Sequence, residues 1–296
     1  MSLVVNHNLM AMNAARNLNS SYNQLATSTR RLSSGLRVDT AADDAAGLAI
    51  RELMRAEIAS MNQGVRNAND GISLIQTADG ALQVVDEKLI RMKELAEQAA
   101  TGTYDSTQRL MIESEYQQMA SEITRIANAT DFNNIKLLDG TLSGDHDGSK
   151  LKSVGELKIH FGTGNDSAED YYYIKIGCAT ASALGVGNQT DETRPGHDIS
   201  TQDNAQRALE AITAAIVSKD NIRAHLGAMQ NRLENTITNL QIQAENLQAA
   251  ESRISDVDVA TEMTNFVRNQ ILTQAGVAML GQANSLPQMA LQLIGG

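Results

Sequence analysis

The segment NQILTQAGVAMLGQANSLPQMALQLIGG, residues 269–296, closes the chain without a single Asp, Glu, Lys or Arg. Apolar side chains such as Ile271, Val277 and Met279 are interleaved there with glutamines and asparagines. The other end has the same property, because the first charged residue of the chain is Arg16. An amphipathic helix that carries no charge is poorly suited to remain alone in water. Both ends therefore predict assembly surfaces that need an apolar partner.

A membrane-spanning helix would also exclude charge over about 20 residues. The closing segment, however, contains Gln274, Gln282, Asn284 and Pro287. A buried amide without a hydrogen-bond partner costs on the order of 1–3 kcal/mol, whereas glutamines in neighbouring copies of one protein can bond each other. These polar residues favour assembly in water over insertion into a bilayer, so we expect no membrane partner.

The composition narrows the classes of function. The chain has 296 residues, a formal net charge of -11 and a pI near 4.9. This acidity argues against nucleic acid as a partner, because phosphate binding needs clustered Lys and Arg. The single cysteine, Cys178, excludes an internal disulfide framework. Residues 1–17 lack a cationic region and a continuous apolar run, so we expect no cleavable secretory signal of the usual kind.

Leucines recur at seven-residue steps in two parts of the chain. One series is Leu226, Leu233, Leu240 and Leu247, continued by Ile254, and the other is Leu18, Leu25 and Leu32. Sustained heptads indicate coiled-coil seams. The two series predict a coiled coil that brings the termini together, and the alternative is that both stripes pack inside a helical bundle.

Helix signals dominate the rest of the chain. Apolar residues at helical spacing predict helices over 43–100, 106–129 with Ser106 as the cap, and from about Thr201 to Ile254. Alternating patterns predict strands at Glu156–Phe161 and Tyr171–Ile176, joined as a hairpin by polar residues. The glycine-rich residues 179–201 are expected to form an exposed loop.

Several long motifs follow one another along the chain, namely RLSSGLR (31–37), DDAAG (43–47), RNANDGI (66–72), DFNNIKLL (131–138), AAESRISDVD (249–258) and the closing stretch 274–293. In this order they resemble the signatures of bacterial flagellin. Hook-associated junction proteins share the plan of the two ends but resemble these motifs less closely.

The resemblance implies a mainly α fold: a long helical hairpin or coiled-coil bundle with paired N- and C-termini, plus a small β-hairpin region. Residues 1–42 and 257–296 would form an inner terminal coiled-coil domain. Residues 43–256 would form an outer helical domain with the β-hairpin and a short variable loop region at about 141–200. No separate outer domains are expected.

The function that this resemblance implies is that of a structural subunit, which self-assembles into a helical flagellar filament for swimming motility. The subunit would be exported unfolded through the flagellar type III apparatus and would be extracellular in the filament. Its expected partners are further copies of itself, the flagellar cap and hook-filament junction proteins, and an export chaperone over roughly Val259–Ile294. A hook-filament junction protein of the same family is the alternative. The assembly core would contain Leu18, Leu25, Leu32, Leu240, Leu247, Ile254, Phe266, Ile271, Leu280 and Leu293.

A second site follows from the resemblance residue by residue. Arg91, Leu95 and Glu115 match the flagellin surface that the flagellin-sensing Toll-like receptor of animals recognises. Two charges flanking an apolar anchor would form a small hot spot. The alternative for Leu95 is packing between subunits, because a leucine on a helix face most often packs.

Two further interpretations concern charged and metal-ligating residues. The charges Arg30, Arg31, Arg37, Asp39, Asp43 and Asp44 are hypothesised to form one cluster that switches subunit packing. The histidines are scattered without a metal-binding spacing, and no nucleophile motif is present. The segment Asp145–Gly148 resembles a calcium loop only faintly, because its glycine stands at the wrong position. We therefore expect no enzyme activity, catalytic residue, metal or cofactor.

Overall fold

The computed structural model describes residues 8–149, 155–187 and 196–294. The described chain divides into two compact units, one combining the chain up to Ile58 with the chain from Glu245, the other comprising Ala59–Ala244. Its elements are α1 (Leu9–Ser34), α2 (Ala45–Ala100), α3 (Ser106–Ala129), β1 (Asp131–Phe132), β2 (Ile135–Lys136), β3 (Leu157–His160), β4 (Tyr171–Ile174), α4 (Ala181–Leu184), α5 (Gln202–Ser255) and α6 (Val259–Ile294). This is the mainly helical fold with a β-hairpin that the sequence predicts. The predicted layer boundaries at 42 and 257 concern a filament and stay a prediction.

Short polar residues start the long helices. Asp44 accepts a hydrogen bond from the Gly47 N–H at 2.9 Å, so α2 begins at Ala45 rather than at Asp43. Thr201 accepts from the Asn204 N–H at the start of α5. At α3 the capping residue is Asp105, and the predicted cap Ser106 is instead the first helical residue.

In the second unit, α2, α3 and α5 share an apolar core with the β-hairpin. Leu226 and Leu233 of α5 are almost completely buried here, together with Leu82 of α2 and Ile174 of β4. The alternative interpretation of this leucine series, packing inside a bundle, is therefore correct for these two residues. These heptad residues pack in a core that also contains side chains of the β-hairpin.

The β-hairpin is antiparallel, as predicted, with Leu157 opposite Ile174 and His160 opposite Tyr171. Its strands are shorter than the sequence suggests by one or two residues at their ends. The turn end of the hairpin lies against α2, where the Asn67 side chain donates to the His160 carbonyl at 2.8 Å. Gly64 lies beside the Phe161 carbonyl at this contact.

The prediction of an exposed loop over 179–201 is wrong for its described residues. Ala179, Leu184, Val186 and Ile199 are buried in the core of the second unit, and α4 lies within the segment. The glycines at 185, 187 and 196 have positive φ, so they let the chain turn back onto α3 and bury its apolar side chains.

Three hydrogen bonds hold the end of this segment on α3. The Tyr116 hydroxyl donates to the Gly196 carbonyl, the Gln117 amide donates to the His197 carbonyl, and Glu113 accepts from the Ile199 N–H, each at 2.6 Å. Burial, with the nearby Asp198 carboxylate as a further cause, raises the pKa of Glu113 above its ordinary value of 4.5. The folded state therefore holds a proton on Glu113 more tightly than the unfolded chain does.

We expect Glu113→Gln to remove a pH-dependent part of the stability. With a raised folded-state pKa, the stabilisation from Glu113 is fully present below the unfolded-state pKa and is lost as pH rises through the folded-state pKa. The free energy of unfolding of the parent minus that of the variant should thus fall in urea titrations as the pH rises above about 4.5, the ordinary pKa of the glutamate. Glu122→Gln is the control. Arg125 lowers the pKa of Glu122, so for this variant the difference in the free energy of unfolding should rise with pH instead of falling. A difference that grows with pH for Glu113→Gln would contradict the assignment.

Candidate interaction surfaces

The first unit contains an antiparallel pair of helices, α1 and α6. Leu18 lies against Gly276, Arg31 lies 3.9 Å from Glu262, and the Asn8 side chain donates to the Ala283 carbonyl. As the residue number rises along α1, its partner's number falls along α6. The predicted pairing of the termini is confirmed. The partner of α1 is α6, however, and not the leucine heptad of α5 that the sequence suggested.

The seam between α1 and α6 consists of small, polar and only a few large side chains. Ser28, Glu262, Asn269 and Thr273 are all less than a tenth exposed. The seam positions alternate by three and four residues, as in a coiled coil. On α1 they are Ala11, Ala14, Leu18, Ser21, Leu25, Ser28 and Leu32, and on α6 they are Glu262, Phe266, Asn269, Thr273, Gly276, Leu280 and Ala283.

Many other large apolar side chains of the two helices point away from this seam. Ile271 is 59% exposed and Met279 is 64% exposed. The pair thus exposes many large apolar side chains while polar side chains occupy part of its buried seam, unlike an ordinary soluble coiled coil. Such exposed apolar side chains make this surface a candidate interaction site. Its exposed members include Leu9, Met10, Met12, Tyr22, Val259, Met263, Val267, Ile271, Leu272, Val277, Met279 and Met289.

The structure divides the predicted assembly core between several places. Ile271 lies on the exposed apolar face, whereas most of the others on these two helices, namely Leu18, Leu25, Leu32, Phe266 and Leu280, line the α1–α6 seam within one chain. On α5, Leu240 is buried in the second unit, and Leu247 and Ile254 are half-buried in the first. The side chain of Leu293 lies outside the described residues. Heptad leucines therefore located the intramolecular seam, and the exposed face lies opposite to it.

The hypothesised cluster of six charges separates into different contacts. Arg30 pairs with Asp43 at 2.9 Å, and Arg31 lies 3.7 Å from the same carboxylate. The hydrogen bonds from Thr40, with the two arginines, lower the pKa of Asp43. Arg37 instead donates to the Ile254 carbonyl, and Asp44 caps α2. Arg30 also lies 3.7 Å from Asp39, so four of the six residues form one cluster and Arg37 and Asp44 lie outside it.

In the second unit, Arg91 and Glu115 form an exposed ion pair. The Arg91 guanidinium donates to Glu115 at 2.8 and 3.0 Å and to Glu94 at 2.9 Å, and these bonds raise its pKa. Leu95 is 1% exposed, because it packs in the core below the pair. The prediction of an apolar anchor at Leu95 does not fit this burial. Ile90, beside Arg91 on α2, is 49% exposed.

Other kinds of site find little support in the described residues. No helix there combines the length and the apolar character that a membrane span needs. Within the same residues, no three His, Cys, Asp or Glu side chains stand close enough together to hold a metal ion.

Sequence comparisons place these surfaces in a known context. The bacterial flagellin N-terminal helical region matches residues 5–143, and the bacterial flagellin C-terminal helical region matches residues 209–294. Flagellin of Halalkalibacterium halodurans is 45% identical over 293 residues, which cover 99% of this chain and 100% of that protein. The flagellar filament 33 kDa core protein of Treponema phagedenis is 41% identical over 292 residues, with 99% and 100% covered. Flagellin of Bacillus subtilis is 41% identical over 306 residues, with 98% and 99% covered.

Two solved structures align with this chain. A protein described as flagellar hook-associated, from Vibrio parahaemolyticus, aligns with a TM-score of 0.55 at 15% identity, covering 72% of this chain and 100% of that one. The crystal structure of Bacillus cereus flagellin aligns with a TM-score of 0.46 at 28% identity, covering 63% and 94%. The first of these likenesses concerns the fold alone.

Proposed function

The chain belongs to the bacterial flagellin family of flagellar filament subunits, and from this membership we propose that its exposed α1 and α6 faces join copies of the chain into the filament. Residues 1–42 and 257–296 form the inner layer of this filament, and residues 43–256 form the outer one. The filament is extracellular and serves swimming motility. The exposed apolar face of α1 and α6 is the observation that carries the proposal.

The physical reason is the placement of apolar area. Each exposed apolar side chain of α1 and α6 contributes roughly 25 cal/mol per Å² when a neighbouring copy removes it from water. The seam side chains cannot add to this energy, because they are already packed against each other within one chain. A contact between two different faces of one protein repeats along a helix when it does not close into a ring.

The same apolar face supports the proposed partners before and after assembly. An unfolded subunit with these side chains exposed needs an export chaperone over Val259–Ile294 on its way through the type III apparatus. The flagellar cap and the hook-filament junction proteins then meet the two ends of the growing filament. The single Cys178 suits a chain that crosses such an apparatus, because it offers no intramolecular crosslink.

Seeded polymerisation tests the assembly proposal. The purified protein is dissociated in acid, returned to neutral pH with short filament seeds, and examined by sedimentation and negative-stain microscopy beside a copy that lacks residues 257–296. Long filaments from the full chain and none from the shortened chain are expected. A full-length chain that stays monomeric with seeds would overturn the proposal and would favour a hook-filament junction protein.

We further propose that the free subunit is recognised by the flagellin-sensing Toll-like receptor of animal hosts through Arg91 and Glu115. Their ion pair is exposed, and Ile90 offers an apolar side chain beside it. Leu95 then acts as the packing residue that supports this surface from below. This modifies the direct contact that the resemblance implied for Leu95.

The receptor proposal predicts a selective loss of signalling. Arg91→Ala and Glu115→Ala should each raise the half-maximal protein concentration in a receptor reporter assay by about tenfold, as expected for hot-spot residues. Arg125→Ala is the matched control, because Arg125 forms an exposed ion pair with Glu122 on α3. Leu95→Ala is unsuitable as evidence, since emptying a core site costs about 2–5 kcal/mol of stability. Unchanged signalling by both variants would rule out this surface.

A further inference from the structure

Side-chain packing alone does not decide the register of α1 against α6, because the seam repeats every seven residues. In the observed register Leu18 lies against Gly276. A slip by one heptad would place Ala11 against Gly276 and Ser21 against Phe266, again pairing small with small or large side chains. Some feature that does not repeat must distinguish the two registers.

Pro287 provides such a feature within α6. A helical N–H bonds to the carbonyl four residues earlier, and proline has no N–H. The carbonyl of Ala283 therefore lacks the donor that any other residue at position 287 would supply. Pro287 is the proline in α6, since the chain's other one is Pro195, so this gap in the hydrogen-bond ladder occurs at one height along the helix.

Asn8 fills this gap from the other helix. Its Nδ2 donates to the Ala283 carbonyl at 2.8 Å, while its Oδ1 accepts from the Ala11 N–H at 3.0 Å and caps α1. One amide thus satisfies an unpaired group at the start of α1 and another inside α6. An amide side chain suits the position because it carries both a donor and an acceptor.

We propose that Asn8 fixes the register of α1 on α6 at the first turn of α1, by binding the carbonyl that Pro287 leaves free. A slip of one heptad would move Asn8 about 10 Å along α6, to carbonyls that are already bonded within the helix. At the opposite end, backbone hydrogen bonds between Arg37 and Ser255 and between Val257 and Gly35 close the seam in the observed register. Asn8 holds the other end of the helix pair, where the start of α1 lies beside Ala283 of α6.

This role makes Asn8 a positioning residue for assembly. The register assignment does not depend on the proposed function, but its purpose, the presentation of a fixed surface to neighbouring copies, does. The register fixes the relative heights of the exposed side chains of α1, such as Met12, and of α6, such as Met279. A shifted register would present neighbouring copies with a different apolar surface.

The register can be measured with a disulfide reporter in the full-length chain. The reporter carries three substitutions, Ala11→Cys, Leu18→Cys and Gly276→Cys, in a Cys178→Ser background. The cysteine at 276 can then form a disulfide with the cysteine at 18 in the observed register or with the cysteine at 11 in the slipped one. A Cβ at 276 lies 3.6 Å from the Leu18 Cβ in the observed register, within the range for a disulfide. After mild oxidation, peptide mass spectrometry gives the ratio of the 11–276 crosslink to the 18–276 crosslink.

We expect the 18–276 crosslink to dominate in the parent. Asn8→Asp keeps the capping oxygen but loses the donor, and it should raise the slipped-to-native ratio about fivefold, the value of one hydrogen bond. Pro287→Ala should raise the ratio similarly, because the restored N–H at position 287 would bond to the Ala283 carbonyl in place of Asn8. This effect is expected even though the substitution makes α6 a more regular helix. With Pro287→Ala present, Asn8→Asp should add little.

The inference would be overturned if Asn8→Asp left the crosslink ratio unchanged. It would also be overturned if the ratio in the double variant rose by the product of the two single effects, because the two substitutions would then act independently. Seeded polymerisation of the same proteins separates this result from the proposed function. A parent chain that never elongates seeds but shows the expected ratios would contradict filament assembly and leave the register assignment standing.

Discussion

Gly64→Ala is expected to destabilise the second unit by about 3 kcal/mol or more, at the upper end of the cost of overpacking. A Cβ placed on Gly64 would lie 2.0 Å from the carbonyl oxygen of Phe161. That oxygen belongs to the backbone at the end of the β-hairpin, so it cannot rotate away as a flexible side chain would. Either the hairpin leaves α2 or the helix bends, and both responses weaken the Asn67 hydrogen bond to His160.

Gly80→Ala is the matched control, because it makes the same substitution in the same helix. Nothing lies within 4 Å of a Cβ at Gly80, so alanine should stabilise the helix by up to about 1 kcal/mol. Urea unfolding of the full chain, followed by far-ultraviolet circular dichroism, should shift the midpoint down for Gly64→Ala and up for Gly80→Ala. Shifts in the same direction would mean that helix propensity alone governs both sites.

These two glycines show where sequence reasoning stops. Both interrupt the same predicted helix, and propensity assigns them the same cost. Apolar spacing was enough to predict that α2 exists and ends at Ala100. The close approach of Phe161 comes from residues nearly a hundred positions away, and no local pattern reveals it.

The partner of α1 was mispredicted for a related reason. Leucine heptads in α1 and α5 match each other by pattern, but Leu226 and Leu233 are used in the core of the second unit. The true partner seam on α6 contains Glu262, Asn269 and Thr273, which an apolar heptad search rejects. Seams built from polar and small residues become visible only when the opposite, apolar face is examined as well.

The candidate receptor surface illustrates the same limit. A motif match located Arg91 and Glu115 on two helices, and the structure brings them to 2.8 Å. The match could not give the burial of Leu95, because burial depends on how α3 and α5 cover α2. The loop over 179–201 was misjudged likewise, since its glycines suggested exposure while its small apolar residues enter the core.

Ile271→Asp is expected to raise the protein concentration needed for seeded elongation by at least about 100-fold. Ile271 is 59% exposed in the single chain, so the substitution should change the free energy of unfolding by no more than about 0.5 kcal/mol. In a filament, the same position is proposed to lie against a neighbouring copy. Burying an unpaired carboxylate there costs several kcal/mol, and every added subunit incurs that cost.

Ile271→Leu separates the effect of charge from the effect of substitution. It preserves apolar area on the outer face of α6, so elongation should stay within about threefold of the parent, consistent with a volume-conserving exchange. Elongation is followed by light scattering after seeding, and urea unfolding of each monomer verifies that the folds are equally stable. If Ile271→Asp elongates seeds at the parent's rate, the exposed face of α6 does not join copies of this chain, because no buried contact would accept that charge without loss.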